Sequence, residues 1–153
     1  MQELIHTLID MLTSWGYPGM FVAAFLAGSV VPFSSEAVLL VLLMLGLDPL
    51  RLLLVATVGN TAGSMFNYWI GTFGRIEWIE HYLHVRPERV AQMSRWMEHY
   101  GAWIGLVCFL PFVGSAVSVT LGFMRANPWF STCTICLGKG VRYAFIILAV
   151  TQL

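Results

Sequence analysis

Residues 30–40 read "VVPFSSEAVLL". A proline, two serines and a glutamate stand inside otherwise membrane-grade apolar sequence. This stretch decides the fold, because the apolar segments on either side of it are both short. Residues 19–33, "GMFVAAFLAGSVVPF", reach roughly 22 Å as a helix, against a hydrocarbon core of about 30 Å. Residues 35–47, "SEAVLLVLLMLGL", are shorter still. Two arrangements follow. The segments form two arms of a re-entrant hairpin broken near Pro32, or they make one kinked span. Non-helical backbone at membrane depth is tolerated only where protein buries it or where it lines a wet cavity.

The composition sets the solvent. Of 153 residues, 58% are hydrophobic and 10% charged, with a mean hydropathy of +0.77. A water-soluble domain of this length needs many more charges on its surface. The chain is therefore expected to be an all-α integral membrane protein with one membrane domain. Its formal net charge is zero, which gives no footprint for nucleic acid. The opening residues "MQELIHTLIDMLTSW" carry acids and lack a basic start, so they do not read as a signal peptide. Leu4, Ile5, Leu8, Ile9, Leu12 and Trp15 recur at helical spacing. They fit an interfacial amphipathic helix or a helix packed across the bundle end.

Further along, residues 50–74 are long enough to cross the bilayer. They contain the small, polar run "GNTAGS" and place Gly59 and Gly63 on one face, suited to close helix contact. Residues 75–100 hold most of the charges and form an amphipathic connector outside the hydrocarbon, with a helix starting at Pro87. Residues 101–124 are apolar, broken by "LPFVGS". Residues 129–153 make the last crossing, interrupted by "GKGVR".

A repeat is visible within the chain. Shifted by 79 positions, "VPFSSEAV" falls on "LPFVGSAV". Pro32 meets Pro111, Pro49 meets Pro128, Gly59 meets Gly138 and Phe66 meets Phe145. The expected organisation is repeat 1 over 17–74, the connector over 75–100 and repeat 2 over 101–153. If each broken segment is a hairpin, each half crosses an odd number of times and the halves are inverted. The fold is then an inverted repeat of two re-entrant helical hairpins, each followed by a transmembrane helix. Such plans place a site near the midplane, at the broken elements. If the segments are single spans, the repeats run parallel. On the hairpin reading, Arg75, Arg86, Arg89, Arg95 and Arg125 share the side of the central loop and favour its cytoplasmic placement.

The intramembrane charges point to function. Arg51 and Arg125 sit at element ends, where they snorkel. Glu36, Lys139 and Arg142 do not. Lys139 and Arg142, three apart, share a helical face. A lone charge at that depth costs a few kcal/mol, so compensation is required. Glu36 is the simplest partner, and a purely structural salt bridge is one reading. The other notes that two cations and one acid leave a surplus positive charge, which invites a phosphate or a proton-dependent exchange of partners. In the repeat, Glu36 corresponds to Ser115 and Asn60 to Lys139, which makes the candidate binding site asymmetric: Glu36, Lys139, Arg142, Ser115, Asn60 and Ser35. Ser34, Ser35 and Ser115 also suit simple helix capping.

Other motifs carry less. "CTIC" at 133–136 has no second ligand pair, so Cys108, Cys133 and Cys136 read as small buried thiols rather than a zinc or redox site. Glu77, Glu80, His81 and His84 form an interfacial cluster without a convincing metal-site pattern. No nucleophile stands at recognisable spacing from a histidine, and "GKG" lacks the glycine-rich run of a phosphate loop. The expectation is no enzyme, no cofactor and no metal.

The stretches "VVPFSSEAVLLVLL", "GNTAGSMFNYWIG", "YGAWIGLVCFLPFVGSAVSVTLGFMR" and "CLGKGVRYAF" together resemble the DedA superfamily, also called the SNARE-associated or VTT-domain group. The resemblance covers most of the chain and is nearest to the small, YqaA-like bacterial branch. It implies two facing re-entrant hairpins, a multi-pass protein of the bacterial inner membrane, and lipid traffic. Some members are linked to flipping of undecaprenyl phosphate or phospholipids with dependence on the proton motive force. The family's hairpin glutamate carries over onto Glu36. Larger members bear arginines flanking the second proline, where this chain has Cys108 and Gly114. YqaA-like proteins often carry an acid at the position of Ser115, and they keep the lysine and arginine matched by Lys139 and Arg142.

Three functions compete. The first is a transporter or scramblase for lipids with an anionic head group, with protons as coupling partner through Glu36. The second is a proton-coupled carrier of a small ion or solute. The third is a non-transporting structural or assembly protein. A homo-oligomer is left open by all three.

Overall fold

A computed structural model describes residues 2–29, 33–74, 87–110 and 113–152. The regular elements of the described residues are all helices, with no strand. In chain order the elements are α1 (Gln2–Gly28), α2 (Ser35–Met44), α3 (Pro49–Gly71), α4 (Pro87–Tyr100), a 3-10 segment (Gly101–Phe109), α5 (Val113–Phe123) and α6 (Pro128–Thr151). Pro32 and Pro111, where the sequence reading places the two breaks, lie outside the described residues. So do Arg75, Arg86 and the Glu77, Glu80, His81, His84 cluster.

α1 is two helices joined at a kink. Gly16 has φ 27° and ψ −105°, a conformation that glycine adopts without a Cβ penalty. Pro18, which offers no backbone N–H, opens the second piece. The amphipathic start and the apolar arm are thus separate elements. α2 spans 10 residues, about 15 Å, half a hydrocarbon thickness. Among the described helices, α6 is long and apolar enough to cross a membrane by length and composition. α3 has the length, at 23 residues, but its polar stripe lowers its hydropathy.

The 3-10 segment differs from expectation. Its sequence, "GAWIGLVCF", is apolar and carries no signal against an α-helix. A run of nine 3-10 residues is uncommon. At about 2.0 Å per residue it reaches some 18 Å, as far as a dozen α-helical residues. It starts at Gly101, with φ 62°, and presses Gly105 against Thr134 on α6.

Positions related by the 79-residue offset are built alike. Asp48 caps α3 by accepting from the Leu50 and Arg51 N–H groups at 2.8 and 3.3 Å. Asn127 caps α6 by accepting from Trp129 and Phe130 at 3.0 and 3.2 Å. Each cap precedes a proline at the start of its helix. α2 ends with Gly46 N–H donating to Leu43 O and Leu47 N–H to Leu42 O. α5 ends with Arg125 to Gly122 and Ala126 to Leu121. Both are Schellman endings, and the residue in the left-handed region is Gly46 (φ 84°) in one and Arg125 (φ 52°) in the other.

Two apolar cores follow the same relation. One joins Met20 and Ala24 of α1, Leu39 and Leu42 of α2, Leu52 and Ala56 at the start of α3, and Tyr143 and Ile147 towards the end of α6. The other joins Ile104 and Cys108, Val117 and Leu121 of α5, Ile135 at the start of α6, and Tyr68 at the end of α3. The start of each long helix therefore shares a core with the end of the other, so α3 and α6 run antiparallel. They meet at their middles, where Lys139 donates to Asn60 Oδ1.

Glycines set how closely the helices approach, as expected where lipid supplies no hydrophobic drive between them. A Cβ on Gly59 or Gly63 would fall 2.6 or 2.2 Å from the Phe21 or Phe25 carbonyl oxygen, so α1 lies against α3 backbone to backbone. Outward-facing Phe66, Trp69, Phe73, Trp129 and Phe145 are exposed, which suits lipid contact.

Candidate functional site

The site lies at the crossing of α3 and α6 and reaches the start of α2. α6 buries Ser131, Thr134, Ile135, Gly138, Lys139, Tyr143 and Ile147. That stripe carries Lys139 to the centre of the molecule, where it is only 4% exposed. Gly138 allows this, because it packs against the Leu106 carbonyl at a distance that admits no side chain. Asn60 sits opposite, 2% exposed, where Gly28 of α1 packs against its backbone.

Two of the hydrogen bonds have a set direction. An ammonium only donates, so Asn60 presents its oxygen to Lys139. Its amide nitrogen then donates to Tyr143 Oη at 2.6 Å. Tyr143 Oη lies 2.7 Å from Ser35 Oγ, and the two hydroxyls share a hydrogen bond in which either can donate. A polar chain thus runs from the centre of α6 to α3, back to α6 and on to the first turn of α2. One turn along, Arg142 Nη2 donates to Glu36 Oε1. Both side chains are about a quarter exposed, at 22% and 27%.

The structure brings together five of the six residues expected from sequence: Glu36, Arg142, Lys139, Asn60 and Ser35. Ser115 lies in the first turn of α5, half-buried, and makes no side-chain hydrogen bond to another described residue. Its neighbour Gly114 is close to the site: a Cβ there would fall 3.6 Å from Lys139 Nζ. The serines divide their work. Ser34 caps α2, accepting from Ala37 N–H at 3.4 Å, while Ser35 bonds to Tyr143. The expectation that all three cysteines are buried needs correction. Cys108 is, but Cys133 is exposed and Cys136 half-buried, because they lie off the stripe that α6 buries.

Sequence reasoning missed Tyr143, and it noted the polar run "GNTAGS" of α3 without assigning Thr57, Thr61 or Ser64 a role. Tyr143 stands four residues after Lys139, hence on the same helical face, and that spacing was its signal. Thr57, Thr61 and Ser64 recur at helical spacing, and their hydroxyls are buried without a hydrogen-bond partner, as is Asn67 Oδ1.

Charge is unevenly matched. Glu36 is engaged by Arg142, and Lys139 is bonded to a neutral amide. Among the described residues no group of three or more metal-ligating side chains exists.

All-helical, rich in apolar exposed surface and with an ionisable group at its centre, the chain has the build of a helical membrane protein. It belongs to the VTT-domain family, which matches residues 17–152. The Inner membrane protein YqaA of Escherichia coli (strain K12) is 30% identical over 87% of this chain and 89% of its own length. An uncharacterised Haemophilus influenzae protein is 35% identical over 86% of this chain and 85% of its own. A Bacillus subtilis protein named Undecaprenyl phosphate transporter A is 26% identical over 82% of this chain and 65% of its own. No solved structure matches the chain.

Proposed function

We propose that this chain is a multi-pass protein of the bacterial inner membrane that moves lipids with an anionic, phosphate-bearing head group across the bilayer. The observation that carries the reading is Lys139. It is a buried cation bonded to a neutral amide, at the crossing of the two long helices, with Glu36 already committed to Arg142. A group in that position attracts an anion, and a charged side chain inside a membrane is retained for function. The name of the B. subtilis relative supports phosphate on the lipid.

In this reading the two short-armed segments are re-entrant hairpins of an inverted repeat. The antiparallel run of α3 and α6 supports that, since inverted repeats bring corresponding helices together in opposite directions. Lys139 and Arg142 attract the phosphate, Asn60 and Ser35 orient it, and Ser115 borders the path from α5. When the phosphate engages Arg142, Glu36 is released and takes a proton, which is where coupling to a proton gradient enters. No bond in the lipid is made or broken, so the protein is a carrier and not an enzyme.

The test is reconstitution in liposomes with fluorescent phosphatidylglycerol or undecaprenyl phosphate, with and without an imposed pH gradient. Transfer of the anionic lipid should exceed that of a neutral glycolipid and vanish in Lys139→Gln. Equal transfer by a folded Lys139→Gln variant, or no lipid movement under any gradient, would refute the reading.

A further inference from the structure

Asn60 and Asn67 are both buried in α3 and both touch Gly28 of α1. They are backed by different chemistry. Asn67 Nδ2 donates to the Gly28 carbonyl at 3.1 Å. A carbonyl only accepts, so that amide has one orientation. Asn60 Nδ2 donates to Tyr143 Oη, a hydroxyl that can also donate. Behind it stands Ser35 Oγ at 2.7 Å, and either hydroxyl of that pair can give the proton. The Asn60 amide is thus backed by groups that serve it in both orientations.

Lys139 sets the orientation at rest, because it donates to Asn60 Oδ1. Held so, Asn60 is wrongly turned for an anion. Its oxygen, which repels one, stands on the ammonium, and its nitrogen is on Tyr143. An oxyanion that takes the ammonium deprives Oδ1 of its donor and meets a carbonyl oxygen instead. A buried acceptor stranded in that way costs free energy, and a half-turn of the amide recovers it. After the turn, Nδ2 donates to the oxyanion and Tyr143 donates to Oδ1. The Asn60–Tyr143 bond persists in reverse, and the Tyr143–Ser35 bond persists with Ser35 as donor. Glycines flank both groups. A Cβ on Gly28 would fall 2.8 Å from Asn60 Oδ1, and one on Gly114 would fall 3.6 Å from Lys139 Nζ. Neither residue sets a side chain against the amide or the ammonium.

We propose that the Asn60 amide is a two-position switch, which turns to donate to a lipid phosphate when that phosphate binds Lys139, and that Tyr143 and Ser35 position it in both states. The inference rests on the head-group reading above and supplies its specificity element. Asn60 touches the head group, whereas Tyr143 acts through Asn60. Such a site keeps its polar groups satisfied when empty and when loaded, which lowers the cost of holding an unloaded cation in apolar surroundings. A neutral head group carries no charge to draw the ammonium off Oδ1, so it leaves the amide unturned.

The test is solid-state NMR of the whole chain in maltoside, labelled with 15N at asparagine and with 13C at tyrosine Cζ. The bound probe is dihexanoylphosphatidylglycerol, the sole source of phosphorus. The asparagines are Asn60, Asn67 and Asn127. The Asn60 side-chain nitrogen should approach the lipid phosphorus to about 4 Å, a hydrogen bond plus one P–O bond. Asn67, held by Gly28 O, and Asn127, which caps α6, should not. The Tyr143 Cζ signal, which reports whether the hydroxyl gives or takes a proton, should shift on loading. Bound lipid without the approach at Asn60, an approach at Asn67 instead, or an unmoved Tyr143 signal would each overturn the switch. Calorimetry on Asn60→Leu gives a second reading, since leucine neither opposes an anion nor donates to it. That variant should bind the probe about tenfold more weakly, as expected for one lost hydrogen bond to a charged group. Equal or tighter binding by folded Asn60→Leu would also overturn the switch, and if the variant does not fold, the spectra of the unmodified chain decide. Failure of the unmodified chain to bind the probe at all would sink the head-group reading together with the switch, whereas binding with the amide unturned sinks the switch alone.

Discussion

α2 meets α6, and α5 meets α3, at positions related by the 79-residue offset, and the two contacts differ in kind. α2 reaches α6 through side chains: Ser35 to Tyr143, Glu36 to Arg142, and Leu39 and Leu42 into a core with Tyr143 and Ile147. α5 comes backbone to backbone with α3, because Gly71 and Gly122 remove the side chains that would stand between them, and around that contact Val117 and Leu121 pack with Tyr68, whose hydroxyl donates to Ala126 O. The difference traces to a few substitutions between the halves. Tyr143 stands where the other half has Ser64, and Arg142 where it has Gly63. Large polar groups bond one pair through side chains; small groups let the other pair approach closely. An asymmetric site at a symmetric crossing is the result.

The contrast breaks most readily at Gly122. Gly122→Ala sets a methyl group inside the Tyr68 backbone and should cost about 3 kcal/mol through overpacking, read as a lowered thermal unfolding midpoint in detergent. Ala37→Gly, in the exposed first turn of α2, should cost less than about 1 kcal/mol, the upper figure for a helix interior. Equal losses would mean that α5 is not seated as closely as α2 is loosely.

The polar side ranks next. Arg142→Ala leaves Glu36 without its cation at a partly buried position. The loss should be about 2 kcal/mol, below that of a fully buried pair because both groups keep some solvent. Glu36→Gln combined with Arg142→Gln should recover most of the stability but not lipid transfer. A double variant that transfers lipid would reduce the pair to a structural bridge. Tyr143→Phe strands the Asn60 N–H and the Ser35 hydroxyl for a loss of about 1–2 kcal/mol. Ser64→Ala should instead be neutral or slightly stabilising, since it deletes an unsatisfied hydroxyl.

The smallest effects test the likeness of the halves. Asp48→Ala and Asn127→Ala each remove a side-chain cap and should each cost about 1 kcal/mol. Arg125→Gly should stabilise by some 0.5–1 kcal/mol, because the αL residue that ends α5 is strained for arginine and free for glycine. Gly46→Ala should destabilise by a similar amount. Unequal cap losses, or an Arg125→Gly change of the wrong sign, would mean that the two helix ends are not equivalent.

Much of this was legible in the sequence. Apolar composition sets the helical, membrane class. Asn127 and Asp48 before their prolines mark the helix starts, since capping and proline chemistry are local. Gly59 and Gly63 announce close packing because a missing side chain has one spatial meaning wherever it falls. Glu36, Lys139 and Arg142 announce a site because charge is so costly in apolar surroundings. The 3-10 segment was not legible: Gly101–Phe109 is as apolar as an α-helix, and what distinguishes it is its seat against α6.

Which charges pair is also a tertiary matter. Sequence offered Lys139 and Arg142 as equal partners for Glu36, three residues apart on one face. The antiparallel crossing decides between them, since it places Asn60 against Lys139 and the first turn of α2 against Arg142. Likewise the hydroxyls of Thr57, Thr61 and Ser64 are ordinary helix residues in the sequence, and only tertiary packing buries them. Composition, caps and intramembrane charge are local or bulk properties that a chain carries in its order of residues. Pairing and desolvation depend on which surfaces meet, and in this protein that is fixed by where the two long helices cross.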